Sequence, residues 1–161
     1  MDDRRAWNYC LWLLGRRAYT RAELQERLQR KEAAADVIAS VLQRLTDYGF
    51  VDDGAFTSQF VSSRSSRYGS LRLRGDLLRK GVSEELVEAE LAGLADESQE
   101  QAAFSLLERN SWRFSRSTDA RRERARAWAF LARRGFPPDA VSSAVERFAQ
   151  SSGLWDADGS P

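Results

Sequence analysis

The residues best equipped for chemistry in this chain are arginines, and they cluster in two segments. Residues 58–80 hold six basic side chains and one acidic side chain, and residues 109–134 hold nine arginines against two carboxylates. A guanidinium binds phosphate or carboxylate through two parallel hydrogen bonds. Such clusters are typical of surfaces that bind nucleic acid or acidic protein, although any single arginine could equally be a solvated surface charge.

The two basic segments supply the candidate partner-binding residues. These are Arg64, Arg67, Tyr68, Arg72, Arg74, Arg79 and Lys80 in the first segment, and Arg121, Arg122 and Arg126 in the second. At 100° per residue, Arg72, Asp76 and Arg79 fall on one exposed helix face, whereas Arg74 falls among apolar positions. The helices that align with the second segment are not equally basic, which favours solvated surface charge for that set.

The composition argues against an enzyme. The chain has no histidine and one cysteine, so Ser-His and Cys-His nucleophile pairs, histidine metal sites and intrachain disulfides are excluded. No Walker-type glycine loop is present, and no carboxylate pair stands out from the charged helix faces. We therefore expect no catalytic site and no cofactor. The five tryptophans lie at core spacing, so we interpret them as packing residues rather than base-stacking platforms.

The chain shows no targeting or membrane signal. Charged residues occupy positions 2–5, and the longest apolar run, Cys10–Leu14, is far too short to cross a bilayer. A single cysteine fits a reducing compartment. We expect a monomeric cytoplasmic protein with no membrane contact.

The elements that must position these arginines are helices. Gly49, Gly81 and Gly135 each follow an apolar helical stripe and precede an apolar residue and a helix start, which is typical of a short turn between two helices. Capping-box patterns at Thr20–Glu23 and Ser98–Gln101 predict two helix starts. The fold class is therefore all-α, with tandem three-helix units stacked into an elongated, curved array.

The predicted boundaries divide the chain into four segments. Three helix-turn-helix-like units span residues 4–50, 51–96 and 97–150. A flexible tail spans residues 151–161, in which Trp155 could still dock. Each unit alone has a minimal core, so we expect stacking to supply stability.

Three stretches of this sequence resemble the RecX family of regulatory proteins. Leu45–Asp53 resembles the family's junction, in which a leucine-rich helix ends at glycine and two acidic residues start the next helix. Arg17–Leu24 matches its first-unit pattern. The middle-unit motif is matched by Gly69, Arg72, Leu73, Asp76, Leu77, Lys80 and Gly81. Ser70 stands where the family usually has proline, Lys31-Glu32 lacks the first-unit turn glycine, and the third unit matches mainly at Arg134-Gly135.

The resemblance implies a nine-helix, three-unit modulator of RecA recombinase. Members of the family bind in the groove of the RecA filament on single-stranded DNA and inhibit ATP hydrolysis, strand exchange and co-protease activity. The resemblance therefore implies a role in DNA recombination, DNA repair and the SOS response. The expected partners are the RecA filament and single-stranded DNA, the latter weakly or through the filament.

Two other functions remain open from the residues alone. Short three-helix units with a glycine turn also permit a helix-turn-helix DNA-binding protein, but Glu84–Leu94 and Asp139–Gln150, the presumed recognition helices, are acidic or neutral. An all-helical adaptor with a non-DNA partner is the second alternative. Titration with bare duplex DNA tests the first, and pull-down of RecA tests the second.

Overall fold

A computed structural model of the protein describes residues 1–156, and within that range the chain is all-helical, with no β-strand. The helices are α1 (Asp3–Leu14), α2 (Arg21–Arg30), α3 (Ala35–Asp47), α4 (Asp53–Arg64), α5 (Ser70–Arg79), α6 (Glu84–Ala92), α7 (Asp96–Arg109), a short 3-10 helix (Ser111–Phe114), α8 (Ala120–Arg133) and α9 (Pro138–Ser152). The all-α class and the nine predicted helices are confirmed. None of the helices in this range is both long and apolar enough to span a bilayer.

The helix starts follow local capping signals in some places but not in others. At α2 the Thr20 hydroxyl accepts from the Glu23 amide at 3.1 Å, and the Glu23 carboxylate accepts from the Thr20 amide at 3.0 Å, so this capping box is confirmed. The second predicted capping box is wrong. Helix α7 already begins at Asp96, after Ala95, because acidic side chains in its first turn interact favourably with the helix dipole. Residues 98–101 therefore lie inside the helix.

The three predicted glycine turns are present. Gly49, Gly81 and Gly135 have φ of 76°, 78° and 83°, the left-handed region that glycine enters without steric cost. In each turn the glycine amide donates to a carbonyl three residues back, and the following amide donates to a carbonyl five residues back. This pair of bonds satisfies carbonyls that the helix end would otherwise leave without partners.

The apolar residue after each glycine does not always fold inward. Val82 and Phe136 are buried, as the pattern indicates, but the Phe50 side chain is 52% exposed. Val51 is buried instead. Phe50 lies in an exposed aromatic group with Trp7 and Tyr48, whose ring centroids are 6.2 Å from its own.

A fourth turn of the same form, between α2 and α3, has glutamate at the glycine position. Glu32 has φ of 57°, its amide donates to the Gln29 carbonyl at 2.9 Å, and the Ala33 amide donates to the Leu28 carbonyl at 3.1 Å. The absence of glycine noted in the sequence thus leaves the turn geometry intact. The left-handed backbone conformation costs a residue with a Cβ about 1–2 kcal/mol of conformational free energy.

We expect Glu32→Gly to stabilise the protein by about 0.5–1 kcal/mol, because relief of the left-handed strain outweighs the greater freedom of glycine in the unfolded chain. Urea unfolding followed by circular dichroism measures the change. Lys31→Gly is the matched control, since Lys31 has φ of −91° and no such strain to lose. Equal effects of the two substitutions would contradict the assignment of strain to Glu32.

The helices pack into two compact units, one of Met1–Phe60 with Asp76–Glu90, the other of Val61–Gly75 with Leu91–Pro161, described to residue 156. The first compact unit has a core of Ala6, Cys10, Leu13, Tyr19, Leu24, Leu28, Ile38, Val41, Leu42, Leu45 and Val51. The core of the second is formed mainly by α7, α8 and α9, with Phe114, Phe136 and Trp155. Burial raises the pKa of the Cys10 thiol to about 11, so this cysteine serves as a packing residue.

The segment predicted as a tail is ordered in part. Helix α9 continues to Ser152, and Trp155 is buried in the second compact unit. The Trp155 indole donates to the Phe114 carbonyl at 2.8 Å, and its ring packs edge-on against Phe148. Trp155 therefore docks. Residues 157–161 of the predicted tail lie outside the described residues.

The prediction that the tryptophans are packing residues is wrong for Trp12, Trp112 and Trp128. Their side chains lie largely on the surface, with Trp12 54% and Trp112 57% exposed. The guanidinium of Arg16 lies 4.1 Å from the Trp12 ring centroid, and two arginines flank Trp112. Helical spacing cannot separate an aromatic ring covered by arginine from one covered by the core.

Candidate partner-binding surface

The candidate partner-binding surface lies where the loop before α5 meets the turn after α8. The Gly69 amide donates to the Arg134 carbonyl at 2.9 Å, and the Leu71 amide donates to the Gly135 carbonyl at 3.0 Å. A Cβ on Gly69 would lie 2.3 Å from the Gly135 oxygen and from Phe136 backbone atoms. Only glycine permits this approach, which fixes the loop on the second compact unit.

This close approach places basic residues around the half-buried Tyr68 ring. The Arg72 guanidinium lies 4.4 Å from the Tyr68 ring centroid, and that of Arg134 lies 5.7 Å from it. Arg134 also donates to the Arg67 carbonyl at 3.4 Å. Arg67, Tyr68, Arg72 and Arg134 are called the Tyr68 cluster below. Cation–π contact with Tyr68 holds the Arg72 and Arg134 guanidiniums in one arrangement.

Helix α5 is fixed at its start by a residue from α7. The Ser70 amide donates to the Gln99 side-chain oxygen at 3.0 Å, and Gln99 is buried. Serine at this position supplies an N–H that proline, the usual family residue, lacks. Gln99 therefore orients the helix that carries Arg72.

The other predicted residues of the first basic segment have different surroundings. Arg64, at the end of α4, and Arg74, on α5, are half-buried in the second compact unit. Arg79 and Lys80 belong to the first compact unit. Arg79 forms an ion pair with Asp76, one turn earlier in the same helix.

Lys80 lies in a network that joins it to α2. Its ammonium is 3.2 Å from a Glu23 carboxylate oxygen, and its carbonyl accepts from the Thr20 hydroxyl at 2.6 Å. Burial of Glu23 would raise its pKa. Hydrogen bonds from the Thr20 amide and from Arg17 and Lys80 outweigh this and hold the pKa below its ordinary value. The Lys80 charge is thus already compensated by the half-buried Glu23 carboxylate, and this residue stabilises the fold.

The second predicted set lies on α8. Arg121, Arg122 and Arg126 are exposed. Arg126 donates to Glu123 at 3.3 Å, and Glu123 is fully buried. Arg121 and Arg134 are separated by about 20 Å along the helix axis at 1.5 Å per residue, so the start of α8 does not join the Tyr68 cluster.

Sequence reasoning did not select Arg134 or Gln99 for this surface. The sequence does contain a pattern that could have identified Arg134, since this residue precedes the glycine of a helix-ending turn and lies in a basic segment. No sequence pattern could have identified Gln99, because its hydrogen-bond partner Ser70 is distant in the chain.

Comparison with known proteins agrees with this architecture. Three family models match in succession: "RecX, first three-helix domain" over residues 6–45, "RecX, second three-helix domain" over 52–91, and "RecX, third three-helix domain" over 97–145. These ranges contain the bulk of α1–α3, α4–α6 and α7–α9. The chain therefore consists of three tandem three-helix domains of this family.

Two of the proteins named Regulatory protein RecX that are similar to this chain match it over most of their length. The one from Chromohalobacter salexigens is 40% identical over 134 residues, covering 83% of this chain and 86% of that protein. One from Thermus thermophilus is 38% identical over 145 residues, covering 90% of this chain and 92% of that protein.

A crystal structure of RecX from Lactobacillus salivarius has the same fold, with a TM-score of 0.83 at 20% identity, covering 92% of this chain and 97% of that one. The three matched domains together span more than half of the chain, and both sequence relatives exceed 30% identity. This chain belongs to the RecX family of regulatory proteins.

Proposed function

We propose that this protein is a negative regulator of RecA recombinase. It binds the RecA filament on single-stranded DNA as a monomer and inhibits ATP hydrolysis, strand exchange and co-protease activity. Family membership supports a regulatory role. The observation that carries the proposal is the Tyr68 cluster, a basic surface with Arg67 and Arg72 exposed, held in one geometry by the Gly69–Gly135 approach.

The physical argument rests on preorganisation. A binding surface loses less entropy when its side chains are already ordered in the free protein. The Tyr68 ring lies against Arg72 and Arg134, and the loop that carries it is tied to the Arg134 and Gly135 carbonyls. Arg67 and Arg72 stay exposed at the surface. Such a surface suits an anionic partner, either acidic protein or the phosphates of filament DNA.

The remaining predicted residues take lesser parts in this proposal. Arg64 and Arg74 are half-buried and add positive charge to the first basic segment, residues 58–80. Arg79 and Lys80 lie in the first compact unit, and each is paired with a carboxylate of the chain. Arg121, Arg122 and Arg126 form a separate basic face on α8. Action on RecA would place the protein in the cytoplasm and in DNA recombination, repair and the SOS response.

The direct test is RecA-catalysed ATP hydrolysis on single-stranded DNA, with this protein added at a small fraction of the RecA concentration. Strong inhibition is the expected result. Absence of inhibition even at equal concentration would refute the proposal. Tight binding in a separate titration with bare duplex DNA would then favour the helix-turn-helix alternative.

We expect Arg72→Glu to raise the half-inhibitory concentration at least about tenfold, because reversal replaces attraction to an anionic partner by repulsion of several kcal/mol. The substitution keeps the Cβ that packs against Gly135, so the helical circular dichroism spectrum should be unchanged.

Arg27→Glu makes the same charge change at an exposed α2 position and serves as the matched control. Arg79→Glu tests separately the second arginine that was predicted to share this face. Unchanged inhibition by a folded Arg72→Glu variant would remove Arg72 from the binding surface.

A further inference from the structure

A second basic site lies in the second compact unit, between the 3-10 helix and α8. It is an open pocket of about 400 Å³. The residues that define it are Trp112, Arg113, Arg116, Arg126, Phe130 and Arg133. We call it the arginine pocket. Arg121 and Arg122, predicted from the sequence, do not line it.

Within residues 1–156, no carboxylate lines the arginine pocket. In the same range none of Arg113, Arg116 and Arg133 forms an ion pair, whereas Arg124, elsewhere on α8, pairs with Glu146 of α9 at 3.0 Å. Arg126 alone has a carboxylate partner, Glu123. Three unpaired guanidiniums around one concavity raise the local concentration of anions and favour a ligand with more than one negative charge.

An exposed aromatic ring accompanies these charges. The guanidiniums of Arg113 and Arg116 both lie 5.3 Å from the Trp112 ring centroid, yet the Trp112 side chain remains 57% exposed. The exposed part of this ring can accept a flat group stacked on it. A simple anion such as phosphate, or a carboxylate side chain, makes no use of such a surface, whereas a nucleotide presents a phosphate and a flat base together.

Contacts between arginines and the buried Phe130 ring link the arginine pocket to the Tyr68 cluster. Arg113 lies 5.6 Å from the Phe130 ring centroid, and Arg134 lies 4.9 Å from the same ring. Arg134 in turn contacts Tyr68, and Tyr68 contacts Arg72. Phe130 is buried, so its ring holds the two arginines and does not stack on a base. The spaced guanidiniums suit a chain of several phosphates better than a single small anion.

We propose that the arginine pocket binds single-stranded nucleic acid directly, with the guanidiniums on successive phosphates and a base stacked on Trp112. This site is independent of RecA, so it does not rest on the function proposed above. Duplex DNA fits it less well, because paired bases remain inside their own stack and cannot reach Trp112. The pocket presents no side-chain acceptor for base edges, so binding is insensitive to sequence.

The test is fluorescence anisotropy of a labelled oligothymidylate titrated with the whole chain, without RecA. We expect Trp112→Ala to weaken binding at least about fivefold, the loss of one stacked base, and Trp112→Phe to restore part of it. Arg113→Ala/Arg116→Ala should reduce the slope of log affinity against log salt by about 1.4, or about 0.7 per phosphate contact on a single strand. Arg4→Ala/Arg27→Ala, two exposed arginines in the first compact unit, removes the same charge and should change neither value.

Four results would overturn the proposal. They are equal affinity for duplex DNA of the same length, equal affinity for an abasic strand, binding of thymidine monophosphate as tight as that of the strand, and unchanged affinity in both pocket variants. Circular dichroism establishes that each variant is folded. If Trp112→Ala does not fold, Arg113→Ala/Arg116→Ala tests the site without altering the aromatic ring.

Discussion

Replacement of Gly135 by alanine is expected to destabilise the protein by about 2–5 kcal/mol, because two costs combine at this position. Gly135 has φ of 83°, where a residue with a Cβ pays about 1–2 kcal/mol. The added Cβ would also lie 2.4 Å from the Arg72 Cβ and 2.5 Å from the Arg72 backbone nitrogen. Backbone cannot swing aside as a flexible side chain can, so this overpacking costs about 1–3 kcal/mol more.

Gly49→Ala provides the matched control for this prediction. Gly49 has nearly the same backbone conformation, with φ of 76°, but nothing lies within 4 Å of the position that its Cβ would occupy. The Gly49→Ala variant should therefore lose only the stability that the left-handed backbone conformation costs alanine. Urea unfolding of the two variants measures the difference, which isolates the clash with Arg72. Equal losses of stability would show that the Gly135–Arg72 approach is not tight in solution.

The Gly135 substitution also bears on function. The added Cβ would clash with Arg72, a member of the Tyr68 cluster. A folded fraction of the Gly135→Ala protein should therefore inhibit RecA less than the unsubstituted protein under conditions where both are native. Gly49→Ala should leave inhibition unchanged, because Gly49 lies in the other compact unit.

The sequence was sufficient for the helices and for most of their ends because those signals are local. A glycine turn is defined by bonds within five residues, and a capping box by bonds within three. Even the turn at Glu32, where glycine is missing, follows the same local pattern. The limits of the three domains, at residues 50, 96 and 150, stay a prediction.

The candidate sites depend on contacts that no local pattern encodes. Gly69 meets Gly135, and Gln99 meets Ser70, across long stretches of chain. Arg134 joins the Tyr68 cluster for the same reason. The exposure of Trp112 could not be read from spacing either, because guanidiniums rather than apolar side chains lie beside its ring. Arginine count indicated basic surfaces, but only tertiary structure separates paired residues such as Lys80 from unpaired ones such as Arg113.

Thr20 occupies the centre of the network that joins α2 to the end of α5. The side chain is fully buried, and its hydroxyl donates to the Lys80 carbonyl at 2.6 Å while accepting from the Glu23 amide at 3.1 Å. One hydroxyl thus caps a helix and satisfies a carbonyl sixty residues away. Because this hydroxyl makes two hydrogen bonds, its removal by substitution leaves two backbone groups without these partners.

We expect Thr20→Ala to destabilise the protein by about 2–3 kcal/mol, about 1 kcal/mol from the lost helix cap and the rest from the unsatisfied Lys80 carbonyl. Thr20→Ser keeps the hydroxyl and should recover most of this loss. Thr57→Ala is the matched control, since Thr57 is equally buried but its hydroxyl donates only to the Asp53 carbonyl, one turn earlier in the same helix. That carbonyl also accepts from the helix backbone, so the control should cost about 1 kcal/mol. Chemical unfolding of the three variants decides the matter: if Thr20→Ala costs no more than Thr57→Ala, the bond to Lys80 contributes nothing to stability.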